Sequence, residues 1–240
     1  MDFINSIAEI TPLSEKDTFY IAVRKKENFT FPIHCHKEYE LTFSENVTGV
    51  RRVVGDSAEV INDSDLVLIT GKELEHAWEQ HECKSKEIHE ITIQFSSDLI
   101  PQSLLEKNQF FPIKRMIERA QKGLCFPLET IKKIRPLLLE LAKEEDGFYA
   151  TIKLWEILYQ LSLCEKSRTL ASQSFSNAAI HTDSRRVHLI QNYINAHFQE
   201  EIRLEHLAQM VDMNTTAFSR FFKQRTGKSL SDYIISIRLG

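Results

Sequence analysis

Over the first hundred residues, apolar and polar positions alternate with a period near two. The segments TFYIAVRKK (18–26), HKEYELTFS (36–44), VRRVV (50–54), DLVLIT (65–70) and EIHEITIQFS (87–96) are rich in β-branched and aromatic residues. That pattern predicts five short strands. Turn formers separate them: Glu45 with Asn46, Gly55 with Asp56, and Asn62 with Asp63. The run LVLIT is apolar almost throughout and predicts a strand buried on both faces. Several short strands at this spacing suggest an antiparallel barrel or jelly roll.

From Pro101 the period becomes helical. KRMIERAQKG predicts one short helix. LETIKKIRPLLLELAKEE predicts a second, in which Pro136 must form a kink or a start. FYATIKLWEILYQLSLCEK predicts a third. Ile152, Trp155, Leu158, Tyr159, Leu161 and Leu163 cover so much of its surface that several faces must be buried, against the strands and a second copy of the chain or, as the alternative, within one core alone. Residues 166–184 gather Ser, Thr, Ala and Asn without periodicity and predict a linker. Beyond it, Val187, Ile190, Ile194 and Phe198 recur at helical spacing, then Leu204, Leu207, Ala208 and Val211. Asp212 and Met213 interrupt the stripe at a predicted turn, because Asp tolerates a left-handed backbone. Asn214 is placed to cap a further helix with Phe218, Phe221 and Phe222 inside and Gly227 at its end. Another helix begins near Ser231.

The division that follows is 1–100 strands, 101–165 helices, 166–184 linker and 185–240 helical, an α+β chain of more than one domain. Hydrophobic content of 42% and charged content of 27% are ordinary for a globular protein. No apolar run reaches the length of a membrane span, and the N-terminus lacks the basic and apolar regions of a secretory signal. Cys35, Cys83, Cys125 and Cys164 are scattered without C-x-x-C spacing, as reduced thiols in a cytoplasmic protein would be. The net charge of −4 divides unevenly: from Ser184 onward eight basic residues stand against five acidic ones, and the acidic excess lies before it.

Two helices joined by a tight turn, the second with a basic edge, suit a DNA major groove. Thr215, Thr216, Ser219, Arg220 and Lys223 lie away from the phenylalanines. Arg220 suits guanine, while Lys223 and Arg225 suit phosphates. The plainer alternative is a small helical bundle with a charged face. The wording of the segment is more specific: I-x-x-Y-I-x-x-x-F-x-E-x-I-x-L-x-x-L-A, then F-S-R-F-F-K-x-x-T-G-K-S-L-x-x-Y-I-x-x-x-R-L, from Ile190 to Leu239. It resembles the first of two helix-turn-helix units in the AraC/XylS family of transcription regulators. The resemblance covers about a quarter of the chain, and places Thr216, Ser219 and Arg220 toward bases. Asp212, Asn214 and Phe218 stand where the family usually has Gly, Ser and Leu. The family continues into a second unit, so the resemblance implies that this 240-residue form is truncated.

The strand region contains FPIHCHKEYEL, in which His34, His36 and Glu40 resemble the cupin motif H-x-H-x-x-x-E, and DLVLITGKELEHAW, in which Asp65, Gly71 and His76 resemble the later cupin motif. The usual Pro of that second motif is absent. His34, His36 and Glu40 share parity, so a single strand would aim all three to one side. In metal-binding cupins such groups hold Fe, Mn, Ni or Zn, a sensible match of ligand to metal. In AraC-type regulators the barrel more often senses a small molecule. The resemblance therefore implies an effector pocket of His34, His36, Tyr39, Glu40, His76 and Trp78, with Tyr39 and Trp78 suited to stack on a sugar or aromatic ligand. It favours no metal or other cofactor, although His34, His36, Glu40 and His76 are the set that would hold one; purely structural histidines are the third alternative. The function implied is a promoter-binding, effector-responsive homodimer, with RNA polymerase as a candidate partner and no membrane. Residues 1–18 are placed to act as an arm over the ligand or against the DNA-binding end. A cupin metalloenzyme using His34, His36, Glu40 and His76 is the alternative, and a DNA-binding protein that senses nothing is a third. No Gly-rich nucleotide loop, G-x-S-x-G or H-E-x-x-H supports any other enzyme class.

Overall fold

Alternation along β4 and β9 decides the layering. In the computed structural model, Leu41 and Phe43 of β4 (Tyr39–Glu45) face a helical layer. Glu40, Thr42 and Ser44 alternate with them and are buried too. β9 (Ile88–Phe95) repeats the pattern, with Ile91, Ile93 and Phe95 toward the helices and Glu90, Thr92 and Gln94 on the other face. A strand buried on both faces whose second face is polar needs an internal partner for those polar groups. The structure describes residues 7–9, 11–14, 16–72, 74–172, 186, 189–190, 193–194, 197–226 and 229–239.

The remaining strands are β1 (Ile7–Ala8), β2 (Phe19–Lys26), β3 (His34–Cys35), β5 (Arg51–Val54), β6 (Ser57–Val60), β7 (Ser64–Ile69), β8 (His76–Glu79), β10 (Leu124–Cys125) and β11 (Arg168–Thr169). They form two open sheets, in the orders β1-β3-β8-β5-β6 and β11-β10-β7-β4-β9-β2. All pairings are antiparallel except β1 with β3. Among the described residues no ladder joins the sheets: of the expected barrel or jelly roll, two facing antiparallel sheets are present and a closed barrel is not. β3 and β8 are only two and four residues long, too short to carry hydrogen bonding around a barrel wall. Val54 and Trp78 from one sheet pack against Val67, Ile69 and Ile88 from the other in an apolar cluster between the sheets. β7 is buried on both sides, as its apolar run predicts.

The helices α1 (Gln102–Leu105), α2 (Phe111–Ala120), α3 (Leu128–Leu141) and α4 (Gly147–Ser162) cover the outer face of the six-stranded sheet. A 3₁₀ turn at Asn108–Phe110 leads into α2. Pro136 lies inside α3, which continues past it. β10 and β11 pair with this sheet, and the helical segment shares one core with the strands. β11 also lies within the predicted linker, and Leu170 and Ala171 behind it are buried, so the sheet domain reaches Ala171. Positions 173–184 of that linker lie outside the described residues. Gly71 sits where an added Cβ would meet the Gln121 carbonyl oxygen at 2.4 Å. Only glycine lets the loop after β7 approach the end of α2 this closely.

Toward the C-terminus come α5 (Leu204–Met210), α6 (Thr215–Thr226) and α7 (Leu230–Leu239). Asp212 adopts φ 55°, the left-handed turn expected of it. Asn214 Oδ1 accepts from the Ala217 amide at 2.8 Å, capping α6. Phe218 and Phe222 are fully buried with Ile190, Ile194, Leu207 and Tyr233. Val187 and Gly227 lie outside the described residues. Among the described residues, no helix is long and apolar enough to cross a membrane.

Candidate metal centre

The polar half of the sandwich is closed by three histidines. His34 on β3 and His76 on β8 are direct cross-strand partners, so both side chains share the inward face. Cys35 takes the intervening position and His36 returns inward. Only then does the chain cross to the other sheet, where Glu40 enters on β4. The expectation that one strand carries all three groups is therefore corrected: His34 and Glu40 sit on different sheets and meet face to face. Candidate ligand atoms of His34, His36, Glu40 and His76 lie within 4.8 Å of one another, and all four residues are buried.

Backbone carbonyls set the tautomers. His34 Nδ1 bonds to the Pro32 carbonyl at 2.9 Å, His36 Nδ1 to that of Glu38 at 2.9 Å, and His76 Nδ1 to that of Leu74 at 2.8 Å. A carbonyl can only accept, so each Nδ1 carries the hydrogen. Every Nε2 is thereby turned toward the common centre. His36 Nε2 reaches Glu40 Oε2 at 3.1 Å, and His76 Nε2 stands 3.7 Å from Glu40 Oε1. His76 Nε2 is wholly buried and, among the described residues, has no hydrogen-bond partner. Glu40 is held in turn by Thr42 Oγ1 at 2.7 Å and Gln94 Nε2 at 3.0 Å.

The charges follow from burial and proximity. Burial drives His76 well below the ordinary histidine range, helped by the neighbouring His34, and burial takes His34 to about 4. Both are neutral imidazoles at neutral pH. Burial also opposes the His36 cation, but the hydrogen bond and charge of Glu40 outweigh it and hold the group up at about 9. Burial pushes Glu40 upward, yet His36 overrides it and keeps the carboxylate below its usual range. Glu9, just beyond β1, is raised to about 7 by burial and by Glu40.

Three imidazoles and a carboxylate form a donor set suited to a divalent first-row metal. Hydrogen bonding of each far nitrogen to a carbonyl is the outer support such ligands require. Ligand atoms around a metal sit about 2.0–2.2 Å from it. The cluster therefore needs to contract by less than about 1 Å to close on an ion. The orphaned His76 nitrogen and the donor chemistry both fit.

Other predicted positions lie elsewhere. Tyr39 faces the helical layer, edge-on to Phe95 at 5.7 Å, and does not join the histidines. Trp78 borders them, 6.2 Å from His76 between ring centroids, but its indole nitrogen donates to Asp65 at 2.9 Å. On α6, Thr216, Ser219, Arg220 and Lys223 are exposed, while Thr215 is half-buried and its carbonyl accepts from Ser219 Oγ at 2.9 Å. The Arg225 side chain lies outside the described residues. Glu9 and Gln94 were not legible as site residues. The parity of EITIQF carries a signal for Gln94, and none exists for Glu9.

No family model matches the chain, and no curated protein matches it. Solved structures similar to it include three of ToxT from Vibrio cholerae. One crystal form is 11% identical, with TM-score 0.44, over 91% of this chain and 98% of that one. A form bound to (E)-4-(8-methylnaphthalen-1-yl)but-3-enoic acid is 12% identical, with TM-score 0.44, over 92% and 100%. One with a bound unsaturated fatty acid is 14% identical, with TM-score 0.47, over 93% and 97%. At these values the likeness carries no argument about function.

Proposed function

We propose that this chain is a DNA-binding transcription regulator whose sandwich domain takes up a divalent first-row metal at His34, His36, His76 and Glu40. The observation that carries the metal reading is His76 Nε2, buried without a partner and aimed at two further imidazoles and a carboxylate. Leaving such an atom unpaired costs about 1–3 kcal/mol, and an ion removes that cost. The reading as a regulator, not a metalloenzyme, rests on α5 and α6, with Arg220 offered to guanine and Lys223 to phosphate. β1 adjoins the metal cluster through Glu9 and also lies within 8 Å of α6 between Cα atoms, a short route from one site to the other. The exposed stripe of Phe148, Ile152, Tyr159 and Leu163 along α4 is the surface proposed to pair two copies.

A small polar effector is the second reading. Thr42, Ser44 and Thr92 line the same inner face, and Ser44 Oγ is buried without a partner. Selection from a random duplex library by the full chain, with Co²⁺ or with a chelator, tests the proposal. It expects a common sequence whose affinity changes with metal. Equal enrichment and equal affinity in both conditions would overturn metal control.

A further inference from the structure

Glu40 covers only one flank of the histidine cluster. It approaches His36 and His76, whereas the carboxylate facing His34 is Glu9. Glu9 Oε2 stands 3.7 Å from His34 Nε2 and 3.9 Å from His36 Nε2. Both separations exceed hydrogen-bond length, so neither imidazole is satisfied by this oxygen. The position is nevertheless built. The Glu9 amide donates to the Cys35 carbonyl at 2.9 Å, extending the β1–β3 pairing up to the cluster. Gln94 Nε2 donates to both acids, to Glu9 Oε2 at 3.2 Å and to Glu40 Oε2 at 3.0 Å. One amide thus aims two carboxylates at three imidazoles from opposite flanks. Two acids brought together in this way repel, and the His36 imidazolium beside both offsets only part of that repulsion.

We infer that Glu9 is a fifth metal ligand, delivered by the first strand, and that metal uptake fastens the paired β1 more firmly to the sandwich. This inference rests on the metal reading above. An ion near the three Nε2 atoms would contract the 3.7 and 3.9 Å separations, because ligand atoms about 2.0–2.2 Å from one metal lie closer to one another than that in most geometries. Glu9 is also the acid whose removal disturbs least, since it follows a two-residue strand at the edge of its sheet.

The test uses the full chain, its Glu9→Gln variant and its His76→Ala variant, with Co²⁺ as probe. Calorimetry reads affinity, and hydrogen exchange reads the amides of the first twelve residues. The expected result is Co²⁺ binding by the wild type, loss on the order of tenfold in Glu9→Gln, and metal-dependent slowing of exchange near Glu9 in the wild type alone. Equal affinity and equal slowing in wild type and Glu9→Gln would overturn the fifth ligand and leave the metal reading standing. No Co²⁺ binding by the wild type would overturn both. Loss of binding in His76→Ala with retention in the wild type places the ion at this cluster, and unchanged binding in His76→Ala would place it elsewhere and overturn the inference.

Discussion

Two buried polar clusters sit between the same two sheets, and they differ in whether the protein completes them. In the first, the Arg52 guanidinium spans Asp65 on one nitrogen and Glu59 on another, the latter at 2.7 Å, while Trp78 donates to the second Asp65 oxygen. Arg168 adds two further bonds to Glu59, at 2.8 and 2.7 Å. Burial still pushes the Asp65 carboxyl upward against the pull of Arg52, which shows how costly the position is. Every charge there is answered by a side chain. In the second, His34, His36, His76, Glu40 and Glu9 converge, and His76 Nε2 is left unanswered. The first cluster reads as structure. The second leaves one imidazole nitrogen open, and that difference underlies the proposal that it takes up a metal.

Removing a charge from the completed cluster gives the largest effect. Arg52→Ala strands Asp65 as a buried unpaired acid and should destabilise the chain by about 3–5 kcal/mol in urea unfolding. His76→Ala in metal-free protein should cost less, because it loses one hydrogen bond to the Leu74 carbonyl and strands no charge. A cost equal to that of Arg52→Ala would erase the distinction between the clusters.

Metal should narrow the gap between the two variants. At a hundredfold excess over its dissociation constant, Co²⁺ should stabilise the wild type by about 2.7 kcal/mol, and His76→Ala not at all. Arg52→Ala, if folded, should keep the metal response. Thermal unfolding with and without metal checks each case.

Protons give a finer separation. In the metal-free chain the raised His36 value stabilises the fold fully below about 6.5, the unfolded value, and that contribution is lost as pH rises through about 9. Metal must displace the His36 proton and the fraction still held by Glu9 near 7. Uptake at pH 7 should therefore release more than one proton, and affinity should rise with pH toward 9. Calorimetry in buffers of different ionisation enthalpy measures this; uptake without proton release would contradict the His36–Glu40 pairing. Smallest is a change outside both clusters: Arg220→Ala should leave stability and metal affinity intact and weaken specific DNA binding by about 1–3 kcal/mol, read by titration of a selected duplex.

Much of this was legible because the signals are local. Strand periodicity located β2, β4, β5, β7 and β9, and the left-handed Asp212 and capping Asn214 follow from their own side-chain chemistry. His34, His36, Glu40 and His76 stood out through their resemblance to the cupin motifs, but their placement on two sheets did not, since parity cannot show that the chain changes sheet between His36 and Glu40. The two-residue strands β1, β3, β10 and β11 hold too few residues for a period to be visible. Tyr39 was placed in the pocket for its stacking ring, although it adjoins Glu40 and neighbours on a strand face opposite ways. Glu9 lies far from the motif in sequence and reaches the cluster only through pairing of β1 with β3.

The most direct measurement is the metal content of the full chain after loading with Co²⁺ and exhaustive dialysis, beside His76→Ala treated identically. One equivalent in the wild type and none in the variant is the predicted result. No bound metal in the wild type, or one equivalent in both, would contradict the assignment of the open cluster as a metal site.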